Sequence, residues 1–175
     1  MKTRFCYVLL TIALTMAAQA ETPIQFPKVT GKNLLGDEVS FPDAFKGTGR
    51  SLAIIAFEQN QQPLVDTWLP QLEILEKEDD EFVFFELPTI KRMNGIMRWV
   101  IYRGMRSGIK DERARWRTVT LHIDKAPFRK ALEISNEKTI KLFLVDEKGA
   151  VLWQSEGEFS SVKLESLKAA LRSAG

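Results

Sequence analysis

Two residue types that carry most protein chemistry occur once each in this chain of 175 residues: one cysteine, Cys6, and one histidine, His122. A thiolate is the working form of cysteine in disulfide exchange and in peroxide reduction, and both reactions need it placed at a site. Cys6 stands in a segment with the marks of a secretory signal. Lys2 and Arg4 give a basic start, Phe5 to Ala18 is apolar apart from Thr11 and Thr15, and Ala18-Gln19-Ala20 supplies the small-x-small pattern that a signal peptidase cuts. The expected product begins at Glu21 and contains no thiol. The apolar run is shorter than the roughly 20 residues that span a bilayer. The expectation is therefore an exported, periplasmic protein, with residues 1–20 removed and residues 21–175 forming a single domain.

The other candidate groups are weaker. His122 falls on the polar phase of an alternating stretch, with Thr118 and Thr120, and reads as a solvated structural histidine. A lone histidine builds no His-rich metal site, and no cofactor is expected. Glu76, Glu78, Asp79, Asp80 and Glu81 form an acidic cluster without the alternating ligands and glycine of a calcium loop, so a solvated helix end is expected. No nucleophile elbow, phosphate loop or dinucleotide glycine pattern is present. An enzyme using the polar loop 58–62 with His122 on a small molecule is the catalytic alternative.

Two stretches suit binding. Glu58-Gln59-Asn60-Gln61-Gln62 is a polar loop between an apolar strand and a helix; the amides of Gln59, Asn60 and Gln62 can hydrogen-bond an extended peptide, with Trp68 behind them. The alternative is polar loop filler. From Lys91 to Arg117 there are nine basic residues against Asp111 and Glu112, with Trp99, Tyr102 and Trp116 interleaved. Arginine with aromatics suits contact surfaces. Arg98, Arg103, Arg106 and Arg113 are the candidate partner-binding residues, for a protein or for an anionic membrane surface. The alternative is an arginine face that balances the chain's own acidic cluster. Without Lys2 and Arg4, the 25 basic residues of the chain fall level with its 23 acidic ones, and nothing implies nucleic acid.

The elements that must position these groups follow from periodicity. Gly31 to Pro42 reads as a short hairpin with Leu34 and Val39 at strand positions. Ser51 to Phe57 is a continuous apolar run, a strand buried on both faces. Pro63 sits at a first helical position, and Leu64, Trp68, Leu72 and Leu75 recur at helical spacing, with a kink expected at Pro70. Phe82 to Phe85 is a second buried strand, and Lys91 to Met105 reads as a helix. Val119, Leu121 and Ile123 alternate as a strand buried on one face. Phe128 to Leu132 is a short helix. Ile140 to Val145 and Val151 to Trp153 flank the turn Asp146-Glu147-Lys148-Gly149. Ser161 is placed to cap a last helix whose apolar side holds Val162, Leu167 and Leu171. Strands alternating with helices and closing on an antiparallel hairpin imply an α/β domain with a mixed central sheet and helices on both faces.

That order resembles the thioredoxin fold, with an N-terminal hairpin extension over Gly31–Pro42. The strand, polar loop and Pro-containing helix from Ser51 to Leu75 look like the stretch that carries the redox Cys-x-x-Cys. A narrower similarity, over roughly residues 26–171, is to the mitochondrial ATP synthase assembly-factor family that chaperones subunit 6, and its bacterial relatives. It is carried by Thr67-Trp68-Leu69-Pro70, by Leu142-Phe143-Leu144-Val145-Asp146 running through Gly149 to Trp153 and Gly157, and by the charged segment with Met105-Arg106. The resemblance implies assembly or chaperone work on a protein partner without redox catalysis. Aligned this way, the two redox cysteines fall at Gln62 and Val65, and the cis-proline that faces them falls at Ile140, where a trans peptide is expected because a cis bond before a non-proline costs about 2.5–4 kcal/mol.

Overall fold

A computed structural model describes residues 23–91 and 95–173, with only the backbone described over 96–99; the proposed signal segment and its cleavage site lie outside these residues. The described chain runs β1 (Val29–Asn33), β2 (Glu38–Phe41), β3 (Arg50–Ala56), α1 (Gln62–Asp66), α2 (Leu69–Glu78), β4 (Phe82–Lys91), α3 (Gly95–Gly108), α4 (Glu112–Arg117), β5 (Val119–Ile123), α5 (Lys125–Ala131), β6 (Lys141–Asp146), β7 (Val151–Glu156) and α6 (Ser161–Ser173). The seven strands form one sheet in the order β2-β1-β5-β4-β3-β6-β7. β3, β4 and β5 are parallel, and β6, β7, β1 and β2 join antiparallel. This is the mixed sheet expected from the sequence.

The apolar run of β3 is covered on both sides. Ala53 and Ile55 face a phenylalanine-rich layer formed by Phe26, Phe41, Phe45, Phe85 and Phe128. The Phe26 and Phe45 rings meet edge to face at 5.1 Å, an arrangement that aromatic quadrupoles favour. Leu52 and Ile54 face the opposite layer, where Val65, Trp68 and Leu72 of the α1–α2 region and Leu164, Leu167 and Leu171 of α6 close the core. Gly149, at φ 82°, ends the β6–β7 turn; a Cβ there would lie 2.8 Å from Pro42 Cβ, so glycine is required by both conformation and space.

Several elements depart from the sequence expectation. Pro70 does not kink a continuous helix: α1 ends at Asp66, and Pro70 stands in the opening turn of α2, where a missing N–H costs nothing. The helix expected from Lys91 starts at Gly95. β4 instead runs on to Lys91, because Thr89, Ile90 and Lys91 pair with Leu121, His122 and Ile123 of β5. β5 is not open on one face: Thr118 and Thr120 are buried like Val119 and Leu121, and the Thr120 hydroxyl lies 3.8 Å from Met105 Sδ of α3. The short helix begins earlier, at Lys125, where the Asp124 carboxylate accepts from Ala126 N. Ser160, not Ser161, caps α6 by accepting from Lys163 N at 3.3 Å, and Val162 is exposed rather than packed.

Candidate functional site

The C-terminal end of β3 leads into a single 3-10 turn over Gln59–Gln61 and then α1. Gln59, Asn60 and Gln62 are exposed on this turn, as a binding role requires. Gln61, the member left out of the candidate set, is the buried one. Its Oε1 accepts from Phe57 N at 2.8 Å and its Nε2 donates to Glu137 O at 2.7 Å. The Glu137 carboxylate in turn receives Lys125 Nζ at 2.8 Å and Arg129 Nη1 at 3.3 Å. A carboxamide carries both a donor and an acceptor, so one side chain satisfies both loops and ties the turn after β3 to the loop before β6. The sequence signal was faint: one Gln among three.

The positions matched to redox cysteines are now placed. Gln62 is exposed at the start of α1 and donates to Asp66 Oδ1 at 2.9 Å. Val65 is packed in the core, and Ile140 is fully buried behind a trans peptide. None of the three side chains ionises to a nucleophile. Trp68 is a correction: expected behind the loop as a partner contact, it is fully buried, its Nε1 donating to Gly157 O at 3.0 Å and its ring meeting Phe159 edge-on. It holds α2 against the loop before α6 and is out of reach of a partner.

Beneath α1 lies a charged cluster that the sequence did not single out. Glu86 of β4 is buried on the α1–α2 side of the sheet. Burial raises its carboxyl above the ordinary range, against the pull of the Arg117 guanidinium and a hydrogen bond from Gln62. Arg117 ends α4 and is also buried. Its Nη2 donates to Glu73 Oε1 at 2.7 Å, Nη1 lies 3.7 Å from Glu76 Oε2, Nε lies 3.6 Å from Glu86 Oε1, and the guanidinium sits 4.0 Å over the Phe84 ring. Arg113 donates to Glu76 Oε1 at 2.7 Å and stacks on Trp116. The signal for Glu86 was a lone carboxylate continuing the apolar run Phe82–Phe85.

The basic segment is therefore divided. Arg113, expected to face a partner, is committed to the chain's own α2, as is Arg117; Arg115 donates to Ile109 O and Arg106 O. These contacts use Glu73 and Glu76, whereas Asp79 and Glu81 pair with Arg50 at 3.1 and 3.5 Å. The internal balance expected between the two charged runs exists only in this part. Arg103 and Arg106 remain exposed along α3, with Lys110 after it. The Arg98 side chain lies outside the described residues. His122 is half-buried on β5 beside Ile90. Among the described residues, no group of three or more histidine, cysteine, aspartate or glutamate side chains is arranged to hold a metal ion.

Residues 13–173 match the model of the ATP10 protein family. The chain belongs to the ATP10 family. This is the assembly-factor resemblance read from Thr67–Pro70 and Leu142–Gly157. No curated protein matches this ATP10 member. Among solved structures it is similar to BsSco, of the Sco family of cytochrome c oxidase assembly proteins, at 14% identity and TM-score 0.59 over 89% of this chain and 98% of that one. It is similar to a thiol-disulfide oxidoreductase of Bacteroides fragilis at 14% identity and TM-score 0.54, over 84% and 98%. It is also similar to the exposed lipoprotein thioredoxin Etrx1 of Streptococcus pneumoniae at 12% identity and TM-score 0.55, over 82% and 99%. At such identities the likeness is one of fold, and the fold is thioredoxin-like.

Proposed function

We propose that this ATP10-family chain is a redox-inactive assembly factor that works by binding a protein partner. We further propose that it is exported with a cleaved signal segment and acts at the periplasmic face of the inner membrane. On the family resemblance, the partner is a membrane-sector subunit of the ATP synthase. The observation that carries the reading is the filled redox position. Gln62 and Val65 stand where a dithiol would stand, and the Gln61–Glu137 link locks the turn beside them. A fold that keeps its frame and lacks its nucleophile retains binding as its use of that frame.

The binding surface assigned to this function is the exposed side of α3, with Arg103 and Arg106, while the Gln59–Asn60 turn offers polar contacts at the end of β3. Arg103→Glu with Arg106→Glu, tested by cross-linking and pull-down from the native envelope, should abolish capture of the partner and leave Tm unchanged. Full capture by the double variant would remove α3 from the site. Binding of the wild-type chain to protein-free vesicles rich in anionic lipid, with no protein captured, would replace the protein partner by a membrane surface. Mass analysis of the envelope form should find an N-terminus at Glu21.

A further inference from the structure

Lys141 opens β6, and only 6% of it is exposed. In the sheet it stands between Ile55 of β3 and Glu156 of β7. Two residues before Phe143, it shares that residue's face of the sheet, on the side of the phenylalanine layer. An ammonium carries three N–H donors. Among the described residues one acceptor meets this one: Glu156 Oε2, from a carboxylate whose side chain is 62% exposed. Lys125, which is less buried, is better supplied, because its Nζ reaches both Phe57 O and Glu137 Oε2. Burying a cation costs free energy unless acceptors meet its N–H groups.

Lys141 lines a cavity of about 280 Å³ between the β6–β7 pair and residues 132–135. Small-molecule sites run from roughly 300 to 1,000 Å³, so this one suits a small ligand. Leu132, Ile134 and Phe143, all buried, give it an apolar side, and Glu133 and Glu156 line it as well. Its wall is held in place: Arg129 donates to Ser135 O at 2.7 Å and to Ile134 O at 3.3 Å. Glu133 has φ 55°, closing α5 in the left-handed conformation where glycine is the ordinary occupant. The lining thus combines one buried cation, two carboxylates and an apolar side. A simple anion would meet the carboxylates, and a simple cation would meet Lys141. A zwitterion with an apolar tail complements all three.

We propose that this cavity binds a free α-amino acid with an aliphatic side chain. The ligand carboxylate takes the N–H groups of Lys141 that Glu156 leaves over, and Glu156 keeps its own bond. The ligand ammonium faces Glu133, and the aliphatic side chain lies on Leu132, Ile134 and Phe143. No bond is made or broken. The site shares no residue with α3 and does not depend on the protein-binding reading above.

The test titrates the 15N-labelled protein, starting at Glu21, with L-leucine at millimolar concentration. Saturable shifts should fall on residues 132–135, 141–143 and 154–156. Two analogues each lack one charge: isoamylamine is leucine without its carboxylate, and isocaproate is leucine without its ammonium. Isoamylamine should bind at least about tenfold more weakly, the scale of a hydrogen bond between charged groups. Isocaproate should bind about fivefold more weakly, the upper range for one exposed ion pair. Lys141→Met should bind leucine no better than isoamylamine. Glu133→Gly should keep or raise Tm and narrow the gap between leucine and isocaproate. The wild-type series decides even if Lys141→Met does not fold. Absence of saturable shifts, shifts centred elsewhere, or either analogue binding as tightly as leucine would overturn the proposal. So would a folded Lys141→Met protein that still prefers leucine to isoamylamine, or an unchanged gap in Glu133→Gly.

Discussion

Gln61 and Glu86 show how much one buried polar side chain decides. Gln61 satisfies a backbone N–H of one loop and a carbonyl of another, and a buried group deprived of such a partner costs about 1–3 kcal/mol. Glu86 has the opposite economy, since its ionised form is disfavoured by burial. A carboxyl whose folded pKa is raised above the ordinary value near 4.5 holds its proton more tightly folded than unfolded. Its cost to stability appears as pH climbs from 4.5 and is complete above the raised value. Glu86→Gln removes that cost. Urea unfolding across pH should find the variant level with wild type below 4.5 and increasingly the more stable above it, up to a plateau. A variant less stable at every pH would mean that the ion pair with Arg117 outweighs burial. At the same scale, the purified protein starting at Glu21 should reduce insulin no faster than a blank, and steady turnover would show a nucleophile that Gln62 and Val65 cannot supply. The lost thiols were legible because cysteine counts and loop position are written in the chain. Gln61 was not, because burial of one amide among four depends on the loop that meets it from residue 137.

The α3–α4 segment, inserted between β4 and β5, is held by charge. Arg117 brings α4 to α2 and β4 together, with only 4% of its side chain exposed, while Arg113 makes a similar bond with half of its side chain in water. Breaking a buried pair leaves unbalanced charge in the interior, roughly 3–5 kcal/mol, whereas an exposed pair contributes about 0–1 kcal/mol. Arg117→Met should therefore lower the unfolding free energy by several kcal/mol and speed amide exchange over residues 112–118, and Arg113→Met should change it by less than about 1 kcal/mol. Equal losses would show that burial does not separate the two. The strands and α6 could be read from the sequence because apolar periodicity specifies them locally. The start of α3 could not, because Thr89, Ile90 and Lys91 are recruited by β5, a partner about 30 residues away in the chain. The same reason hides the role of Arg117: nine basic residues in one segment look alike until α2 takes two of them.

Over the whole molecule, two cores on opposite faces of one sheet carry a thioredoxin-like frame whose redox position is occupied by a carboxamide and a valine. The phenylalanine layer and the leucine layer explain how a protein with no disulfide in its described fold holds together: stability comes from packing. Among the described residues, Arg103, Arg106 and Lys110 lie exposed on and after α3. The fold class was legible in the order of elements; the division of the arginines between core and surface was not, because it depends on which helix they meet. In the function proposed above, assembly work is done without a thiol. Its most direct test is the amount of assembled ATP synthase in membranes of a strain that lacks this chain and is complemented with the Cys6→Ser sequence. Deletion should cause loss of assembled complex, and the thiol-free chain should restore it in full. Undiminished assembly after deletion, or restoration only when Cys6 is kept, would contradict it.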